Sequence, residues 1–352
     1  MKLLYVCGKE RSYVRNGMIL AGLRNCGCDI IDCSDESGTY VWRFVKSVLK
    51  VLAARKMDFD FVFIGCLGHY FVPLAKKATA KPIIFDPFVS MYDTMCLDRK
   101  KFRPDSPAGR ILYRLDKAAC DRADRIILDT YAHINYFTKA FDQPPDKFHR
   151  VLVGADESLF YPRETPRDDD KFKVFYYSSF LPLHGTEYIV EAAGKLQNAT
   201  DIEFVVIGNG LEKKRIMNLA KAKGVSNIHF IDWIPYGRLP GEIAKSDVCL
   251  GGHFSDIKKA RRVIAGKTFQ FLAMKKPVIV GDCEANRELL VDGESAFFVP
   301  MADAEALADA ILKLKFDGAL RDRLAEKGHD IFTKRCSNSE ISKELAKLLH
   351  SL

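Results

Sequence analysis

Short apolar runs alternate with segments of helical periodicity along the whole chain. The runs are rich in β-branched and aromatic residues, which favour strands, and those of the first half read KLLYVCG, DIIDC, FDFVFIGC, KPIIFD, DRIILDT and FHRVLVGAD. Between them lie segments such as NGMILAGLRNCG and YVWRFVKSVLKVLAARK, whose apolar residues recur at helical spacing. This alternation predicts a parallel sheet covered by helices.

A charged, proline-bearing stretch at 161–171, YPRETPRDDDK, interrupts the pattern before it restarts. Strands are then predicted at FKVFYYSS, IEFVVIGNG, IHFIDWI, KPVIVGD and ESAFFVP, and closing helices at about 303–315, 318–333 and 338–350. We predict an α/β fold of two doubly wound, Rossmann-like domains facing a cleft. The predicted domains are 1–165 and 171–335. A further helix is predicted at 336–352, and one possible arrangement is that it packs back towards the first domain.

Composition and charge add little to this picture. The chain has 352 residues, of which 48% are apolar and 28% charged, as expected of an ordinary globular protein with two domains. Residues 1–165 contain 26 Lys and Arg against 20 Asp and Glu, which is +6 of the total charge of +8. This excess indicates either a surface for anionic partners or only solubility.

The start of the chain and its cysteines indicate a cytoplasmic protein. MKLLYVCGKER predicts a first strand rather than a signal peptide, and the longest uncharged stretch, 61–75, is too short to span a bilayer. Ten cysteines without a secretory segment favour free thiols in a reducing compartment. The spacing of Cys26, Cys28 and Cys33 is not that of a zinc site.

Several strands of the second half end in small residues, in YYSSF, VIGNG and VIVGD. Small residues let backbone N–H groups approach a ligand, and the N-terminus of the next helix favours negative charge. No G-x-G-x-x-G with a later acidic ribose partner follows any predicted strand, which disfavours a nicotinamide dehydrogenase.

The order of the features carries a resemblance. SSFLPLHGTEYIVEAAGKL, IEFVVIGNG, IHFIDWIP, IAKSDVCLGGHF and the stretch from KTFQFLAMK to ADAI follow one another over 171–315. This order resembles the nucleotide-sugar domain of GT-B glycosyltransferases and, more narrowly, the retaining family 4 (group 1) enzymes. The likeness is looser over 1–160, where ADRIILDTYAHINYF and VGADESLFYP carry it.

The resemblance implies a hexosyltransferase. It implies transfer of a sugar from a UDP- or GDP-sugar to an acceptor hydroxyl, with retention of anomeric configuration and without a metal. The nucleotide sugar would be a co-substrate, so no cofactor is expected, and a nucleic-acid partner is not expected. The acceptor would be a glycan, a lipid-linked molecule or a small molecule. A nucleotide-sugar epimerase and an inactive nucleotide-sugar-binding protein remain alternatives.

The chain departs from the family's pattern at four positions. Where members resemble GR-x4-KG, with Arg and Lys on the donor diphosphate, this chain has Ser179 and His184. Where members carry two glutamates eight residues apart, it has Arg262 and Gln270. Basic residues are thus lost on one loop and gained on another, with Lys267 nearby.

We expect Arg262 and Lys267 to hold the diphosphate, because a diphosphate requires charge-assisted donors. The alternative is that Arg262 and Lys267 are only solvated residues at the start of a helix. Arg261 is assigned to that solvated surface. Gln270 would accept from the ribose or be an exposed helix residue, and Asn286 would face the donor or cap a helix. The predicted donor-binding residues are Ser178, Ser179, His184, Gly185, Asn209, Arg262, Lys267, Gln270 and Asn286.

Candidate residues in the first half come from strand ends. Asp86, before a proline, would stabilise positive charge at the anomeric carbon or be a turn residue, and His133 is a second catalytic candidate. A lone histidine is more often structural. The predicted acceptor-side or cleft residues are Gly8, Arg11, Arg15, Asn16 and His69, although Arg11 and Arg15 also fit a solvated helix start.

Two charged stretches complete the candidates. The acidic run at 168–170 fits a solvated linker better than a metal site, so no metal site is predicted. Residues 40–56 combine an apolar face with basic side chains, and with 98–103 they would lie on an anionic membrane. The alternative is a covering helix of the sheet and a basic loop.

Overall fold

The computed structural model describes residues 1–166 and 169–352, and the chain forms two compact units. Unit 1 comprises Met1–Gly154 and Asn338–Leu352, and unit 2 comprises Ala155–Ser337. The strands are β1 (Lys2–Cys7), β2 (Asp29–Asp32), β3 (Phe61–Gly65), β4 (Ile83–Phe85), β5 (Arg125–Leu128), β6 (Phe148–Arg150), β7 (Phe172–Ser178), β8 (Ile202–Gly208), β9 (Ile228–Ile231), β10 (Val248–Leu250), β11 (Val278–Gly281) and β12 (Phe297–Val299).

Helices follow most of the strands. They are α1 (Val14–Asn25), α2 (Tyr40–Ala54), α3 (Phe71–Ala78), α4 (Pro107–Arg122), α5 (Tyr131–Phe141), α6 (Thr186–Lys195), α7 (Lys213–Ala222), α8 (Leu239–Ala244), α9 (Gly266–Ala273), α10 (Glu284–Arg287), α11 (Ala304–Phe316), α12 (Gly318–Arg335) and α13 (Asn338–His350). A π-helical turn spans Asp93–Asp98, and 3-10 turns span Pro145–Lys147, Pro182–His184 and Tyr236–Arg238.

Each unit contains one six-stranded sheet in which all paired strands are parallel. The strand order is β2-β1-β3-β4-β5-β6 in unit 1 and β12-β11-β10-β7-β8-β9 in unit 2. The central strands are buried on both faces, as in FVFIG of β3, which is why they appear as continuous apolar runs. The predicted fold class, two doubly wound α/β sheets, is confirmed.

The strand order reverses once in each sheet. In unit 1 the chain leaves β1 for β2 on one side and later returns to β3 on the other; in unit 2 the same occurs at β7, with β8 on one side and β10 on the other. Loops that leave the carboxyl ends of two such strands diverge and open a crevice, where doubly wound sheets bind ligands. The two switch points are therefore the places to examine for a site.

The boundary between the units differs from the predicted linker at 161–171. Unit 2 begins at Ala155, because Phe160 is buried and its ring packs edge-on against Tyr236, with centroids 5.4 Å apart. The prediction that residues 155–165 belong to the first domain is therefore wrong. Phe160 is buried by residues that are distant in sequence, such as Tyr236, and the charged stretch around it does not indicate this burial.

The C-terminal helix α13 belongs to unit 1. Ile341, Leu345, Leu348 and Leu349 are buried in one apolar cluster with residues of α1 and β1. The approach is close at Gly22 of α1, where an added Cβ would lie 2.5 Å from a methyl carbon of Leu345. No helix among the described residues combines the length and apolar character needed to cross a bilayer.

Candidate functional site

The candidate site lies in unit 2, where the loops after β7 and β10 meet the start of α9. The first loop contains His184 and Gly185, the second contains His253, and Lys267 is the second residue of α9. Gly185 has φ +66°, and a Cβ there would lie 2.3 Å from the backbone nitrogen of Ser255. Only glycine therefore allows these two loops to approach so closely.

This approach stacks two imidazole rings. The rings of His184 and His253 are nearly parallel, with centroids 5.3 Å apart. Leu181 donates its backbone N–H to Nδ1 of His184 at 3.3 Å, so the proton of the neutral ring is on Nε2. Nδ1 of His253 is buried and has no hydrogen-bond partner in the described part of the chain.

Lys267 brings a buried cation to the same place. Its side chain is 6% exposed, and Nζ has no hydrogen-bond partner within the described residues. Nζ lies 4.3 Å from the ring centroid of Tyr176, a cation–π contact that offsets only part of the lost hydration. Burial lowers the pKa of Lys267 to about 7. The interpretation of Lys267 as a solvated helix start is wrong.

The surrounding charges are also positive. Burial, and after it the charge of Lys267, lowers the pKa of His184 and of His253 well below the ordinary histidine value, and buried Lys259 adds to the effect on both. Both rings are thus neutral near pH 7. Arg262 is half-buried one turn after Lys259, whose backbone oxygen accepts from Arg262 N–H. Exposed Arg261 pairs with Asp256, as its assignment to the solvated surface predicts.

Gln270 lies one helical turn after Lys267 and is buried, so the alternative of an exposed helix residue is wrong. The hydroxyl of Tyr177 donates to its Oε1, and its Nε2 donates to the hydroxyl of Tyr236 at 2.8 Å. Gln270 therefore joins β7 to the 3-10 turn before α8. The hydroxyl proton of Tyr236 is not used in these two bonds.

The other predicted donor residues lie at adjacent strand ends. Ser178 is buried and its hydroxyl accepts from Phe180 N–H at 2.9 Å, while Ser179 and Asn209 are exposed. A Cβ on Gly208 would lie 1.9 Å from the backbone oxygen of Ser178, so this glycine lets β8 approach β7. The sequence motif GNG thus has a packing role beside the loop.

Asn286 does not cap a helix, contrary to the capping interpretation. Cys283 precedes α10, and Asn286 lies inside it, buried, with its amide donating to the backbone oxygen of Gly281 at 2.8 Å. A Cβ on Gly281 would in turn lie 2.2 Å from the backbone oxygen of His253. Asn286 therefore holds the end of β11 against the loop that bears His253.

In unit 1, Arg15 and Asp86 form a buried ion pair. Arg15 Nε donates to Asp86 Oδ2 at 2.7 Å, and Arg15 Nη1 donates to the backbone oxygens of Val151 and Leu152 at 2.7 and 3.0 Å. Arg15 is 1% exposed and Asp86 is 0% exposed. The predictions of a solvated or cleft-facing Arg15, and of an Asp86 that faces a sugar, are therefore wrong in this structure. Burial raises the pKa of Asp86, and Arg15 opposes that effect.

The remaining candidates of unit 1 also have internal partners. Asn16 is buried, donates to the backbone oxygens of Lys9 and Glu10, and accepts from Cys66 N–H, so its assignment to the cleft is wrong. A Cβ on Gly8 would lie 2.2 Å from the backbone oxygen of Leu67, so Gly8 joins the β1 and β3 loops. Arg11 is exposed and pairs with Asp32 and Glu36.

Two histidines of unit 1 are buried beside carboxylates. His69 Nε2 lies 3.3 Å from Asp116 Oδ1, and burial lowers the pKa of His69. His133 Nδ1 lies 2.8 Å from Asp129 Oδ1, while its Nε2 is buried without a hydrogen-bond partner in the described chain. A carboxylate only accepts, so Nδ1 of His133 carries a proton and donates it to Asp129.

The arrangement in unit 2 is suited to an anion. Lys267, Arg262 and Lys259 supply positive charge, His184 supplies a neutral N–H, and no hydrogen bond within the described residues neutralises Lys267 Nζ. Sequence reasoning missed His253, Lys259, Tyr176 and Tyr236. The small residues of VCLGGHF, at the end of a strand as in YYSSF, could have indicated His253.

The described residues contain no group of three or more His, Cys, Asp or Glu side chains that could hold a metal ion. Of the acidic run at 168–170, Asp168 lies outside the described residues, and Asp169 pairs with Lys173 at 3.1 Å.

Residues 158–330 match the family described as Glycosyl transferases group 1. The α-D-kanosaminyltransferase of Streptomyces kanamyceticus is 24% identical over 59% of this chain and 55% of that protein. The lipopolysaccharide core biosynthesis glycosyltransferase LpsE of Rhizobium meliloti is 27% identical over 57% of this chain and 54% of that protein. The matches thus span about half the length of these curated relatives.

Among solved structures, Anabaena HepE in complex with UDP-glucose superposes on the chain with a TM-score of 0.75. The two are 17% identical, and the alignment covers 100% of each chain. At this identity the likeness concerns the fold, which is GT-B.

Proposed function

We propose that the protein, whose residues 158–330 match the group 1 glycosyl transferases and whose fold is GT-B, transfers a sugar from a nucleotide diphosphate donor to an acceptor hydroxyl. The observation that carries the proposal is the buried Lys267, whose Nζ has no hydrogen-bond partner within the described chain and lies where the β7 and β10 loops meet. A protein gains nothing in stability from such a charge, whereas a diphosphate would neutralise it.

The donor diphosphate is placed on Lys267, Arg262 and the Nε2–H of His184. As the glycosidic bond to the sugar breaks, negative charge grows on the departing diphosphate, and fixed donors at this place stabilise it. Because side chains supply this positive charge, the transfer is proposed to be metal-independent. UDP is the first donor nucleotide to test, since HepE, which shares the fold, was solved in complex with UDP-glucose; GDP is the second.

The ribose is placed near Gln270 and Tyr236. In the family pattern a glutamate stands at this position, whereas here Gln270 already donates to one tyrosine and accepts from the other. The Tyr236 hydroxyl is the group left to reach a ribose oxygen. Retention of anomeric configuration and hexosyl transfer are carried over from the family resemblance.

His133 is retained as the catalytic candidate of unit 1. Its Nε2 has no hydrogen-bond partner within the described residues, and Asp129 holds its tautomer through a contact of 2.8 Å. Asp86 is not proposed again, because its side chain is 0% exposed and its Oδ2 accepts from Arg15 Nε.

The acceptor is proposed to be a glycan or a lipid-linked molecule, as the name of LpsE suggests for that relative. Peripheral contact with an anionic membrane through 40–56 and 98–103 would bring the protein to such an acceptor. Exposed apolar residues on α2 and exposed cations at 99–101 support this contact. A cytoplasmic location is proposed as well, in keeping with ten cysteines that are all free thiols.

The first test is calorimetric titration of UDP and GDP into the wild type, Lys267→Ala and Lys275→Ala. Lys275 follows the same helix and is partly exposed in a salt bridge with Glu326, so it is the matched control. We expect one nucleotide to bind and Lys267→Ala to weaken binding at least about tenfold, or about 1.4 kcal/mol, with no change in Lys275→Ala.

The outcomes separate the alternatives. Equal binding by wild type and Lys267→Ala would remove the diphosphate from this loop. Binding followed by conversion of the nucleotide sugar to an isomer without an acceptor would indicate an epimerase. Binding without turnover across UDP- and GDP-sugars and acceptors would indicate a binding protein.

A further inference from the structure

Helix α2 has more apolar surface than its packing on unit 1 requires. Its inner side is made of Phe44, Ser47, Val48, Val51 and Ala54, which are buried or partly buried. A second apolar stripe faces solvent, with exposed fractions of 71% for Val41, 61% for Trp42, 38% for Val45, 61% for Leu49 and 42% for Leu52. A covering helix of a sheet explains the inner side but not this outer stripe.

A cavity opens beside the stripe, between α2 and α3. Its volume is about 260 Å³, and its apolar walls come from β1, α2 and α3, among them Val48, Leu52 and Leu74. That volume is several times the roughly 30 Å³ that a water molecule occupies in the liquid. Protein interiors are close-packed and contain few voids of this size, so an apolar space at the surface suits a hydrocarbon group.

Two cations line the same cavity. Arg55 follows α2 and Lys77 lies in the last turn of α3, and both are exposed. Neither forms a salt bridge with any residue that the structure describes, whereas the neighbouring Lys50 and Lys76 pair with Asp35 and Asp124 at 2.9 and 3.0 Å. The free charges are thus placed at the apolar opening, where an anionic headgroup attached to a hydrocarbon chain would meet both.

We propose that this cavity binds one acyl chain of an anionic phospholipid in a bilayer, with the phosphate on Arg55 and Lys77 and the outer stripe of α2 in the interfacial layer. The proposal rests on the membrane contact proposed above and adds a discrete lipid site to it. An apolar surface and a basic patch together give the two signals that stable peripheral binding requires. Charge complementarity selects an anionic lipid over a second apolar protein surface.

Membrane contact is tested through the two tryptophans of the chain, Trp42 and Trp233. Trp233→Phe leaves Trp42 as the sole tryptophan, and Trp42→Phe leaves Trp233, which is exposed in unit 2 and serves as the control. With vesicles containing phosphatidylglycerol, we expect a blue shift and quenching by brominated lipid for Trp42 only. An unchanged Trp42 spectrum, or an equal response of both, would overturn the membrane contact.

The lipid site is tested separately with short-chain phosphatidylglycerol below its critical micelle concentration. We expect saturable 1:1 binding, weakened at least about tenfold in Val48→Phe, which fills the cavity, and in the double variant Arg55→Glu/Lys77→Glu. Trp42→Asp should keep this binding and lose vesicle binding. Circular dichroism and thermal unfolding check that each variant is folded.

Absence of saturable binding, or a Val48→Phe variant that binds like the wild type, would overturn the cavity as the site. Equal binding of short-chain phosphatidylcholine would overturn the role of the two cations. Self-association through α2, seen by light scattering and abolished by Trp42→Asp without any vesicle binding, would show that a second copy covers the stripe. Each result is independent of whether the donor site binds UDP.

Discussion

Lys267 is the residue at which stability and function oppose each other. Its ammonium group is buried beside Tyr176, near two neutral histidines, and its pKa is lowered from 10.5 to about 7. Below pH 7 the folded protein must bury the charge, and this destabilises it. Between pH 7 and 10.5 the unfolded chain keeps a proton on Lys267 that the folded chain has lost. The free energy of unfolding therefore increases as the pH rises through this range.

Lys267→Met is therefore expected to stabilise the protein while removing the side chain that is proposed to bind the diphosphate. Since one pKa unit corresponds to about 1.4 kcal/mol, we expect the free energy of unfolding to increase by roughly 2–4 kcal/mol at pH 6. The difference from wild type should shrink by pH 9, and urea unfolding at both pH values measures it. A variant less stable than wild type at pH 6 would show that Lys267 has a neutralising partner inside the protein.

Arg15 shows the opposite case at the same scale. Its charge is as deeply buried, but Asp86 pairs with its Nε and two backbone oxygens accept from its Nη1. The chain places both arginine and lysine near helix starts, and nothing in the local sequence distinguishes the paired charge from the unpaired one. The pairing of Arg15 depends on Asp86 and Val151, which are 71 and 136 positions away in the sequence.

At the scale of elements, the β7 and β10 loops are joined through a glycine. Gly185 has φ +66°, a conformation that costs a non-glycine residue about 1 kcal/mol, and a Cβ would meet Ser255 N at 2.3 Å. An added methyl group must push apart the loops that hold His184 and His253.

Gly185→Ala is accordingly expected to lower the thermal midpoint by several degrees and to weaken UDP binding by about tenfold or more. Gly241→Ala, in α8, is the control, because a Cβ there has no neighbour within 4 Å. Thermal unfolding and calorimetry measure the two effects. Unchanged UDP binding by Gly185→Ala would mean that the stacked histidines are not part of the nucleotide site.

At the scale of the whole molecule, the chain ends in the unit where it begins. Helix α13 follows unit 2 in sequence but buries Ile341, Leu345, Leu348 and Leu349 with α1 and β1 of unit 1. Unit 1 is therefore discontinuous, and its core depends on residues that follow unit 2 in the sequence.

Leu345→Ala is expected to destabilise unit 1 by about 2–5 kcal/mol, because the leucine is fully buried against Gly22. Hydrogen exchange should show faster exchange in residues 1–154 and 338–352 and little change in 155–337. Lys343→Ala, on the exposed side of the same helix, is the control. Equal loss of protection in both units would mean that they unfold as one.

The sequence by itself determined the fold class, because the period of apolar residues is a local property that each strand and helix displays. It also placed Lys267 and Gly185 among the donor-site candidates, because strand ends and departures from a family pattern are visible in the letters. Tertiary structure alone decided which charges are neutralised, that Phe160 joins unit 2, and that His253 meets His184. Burial and pairing depend on residues distant in sequence, and no local pattern contains that information.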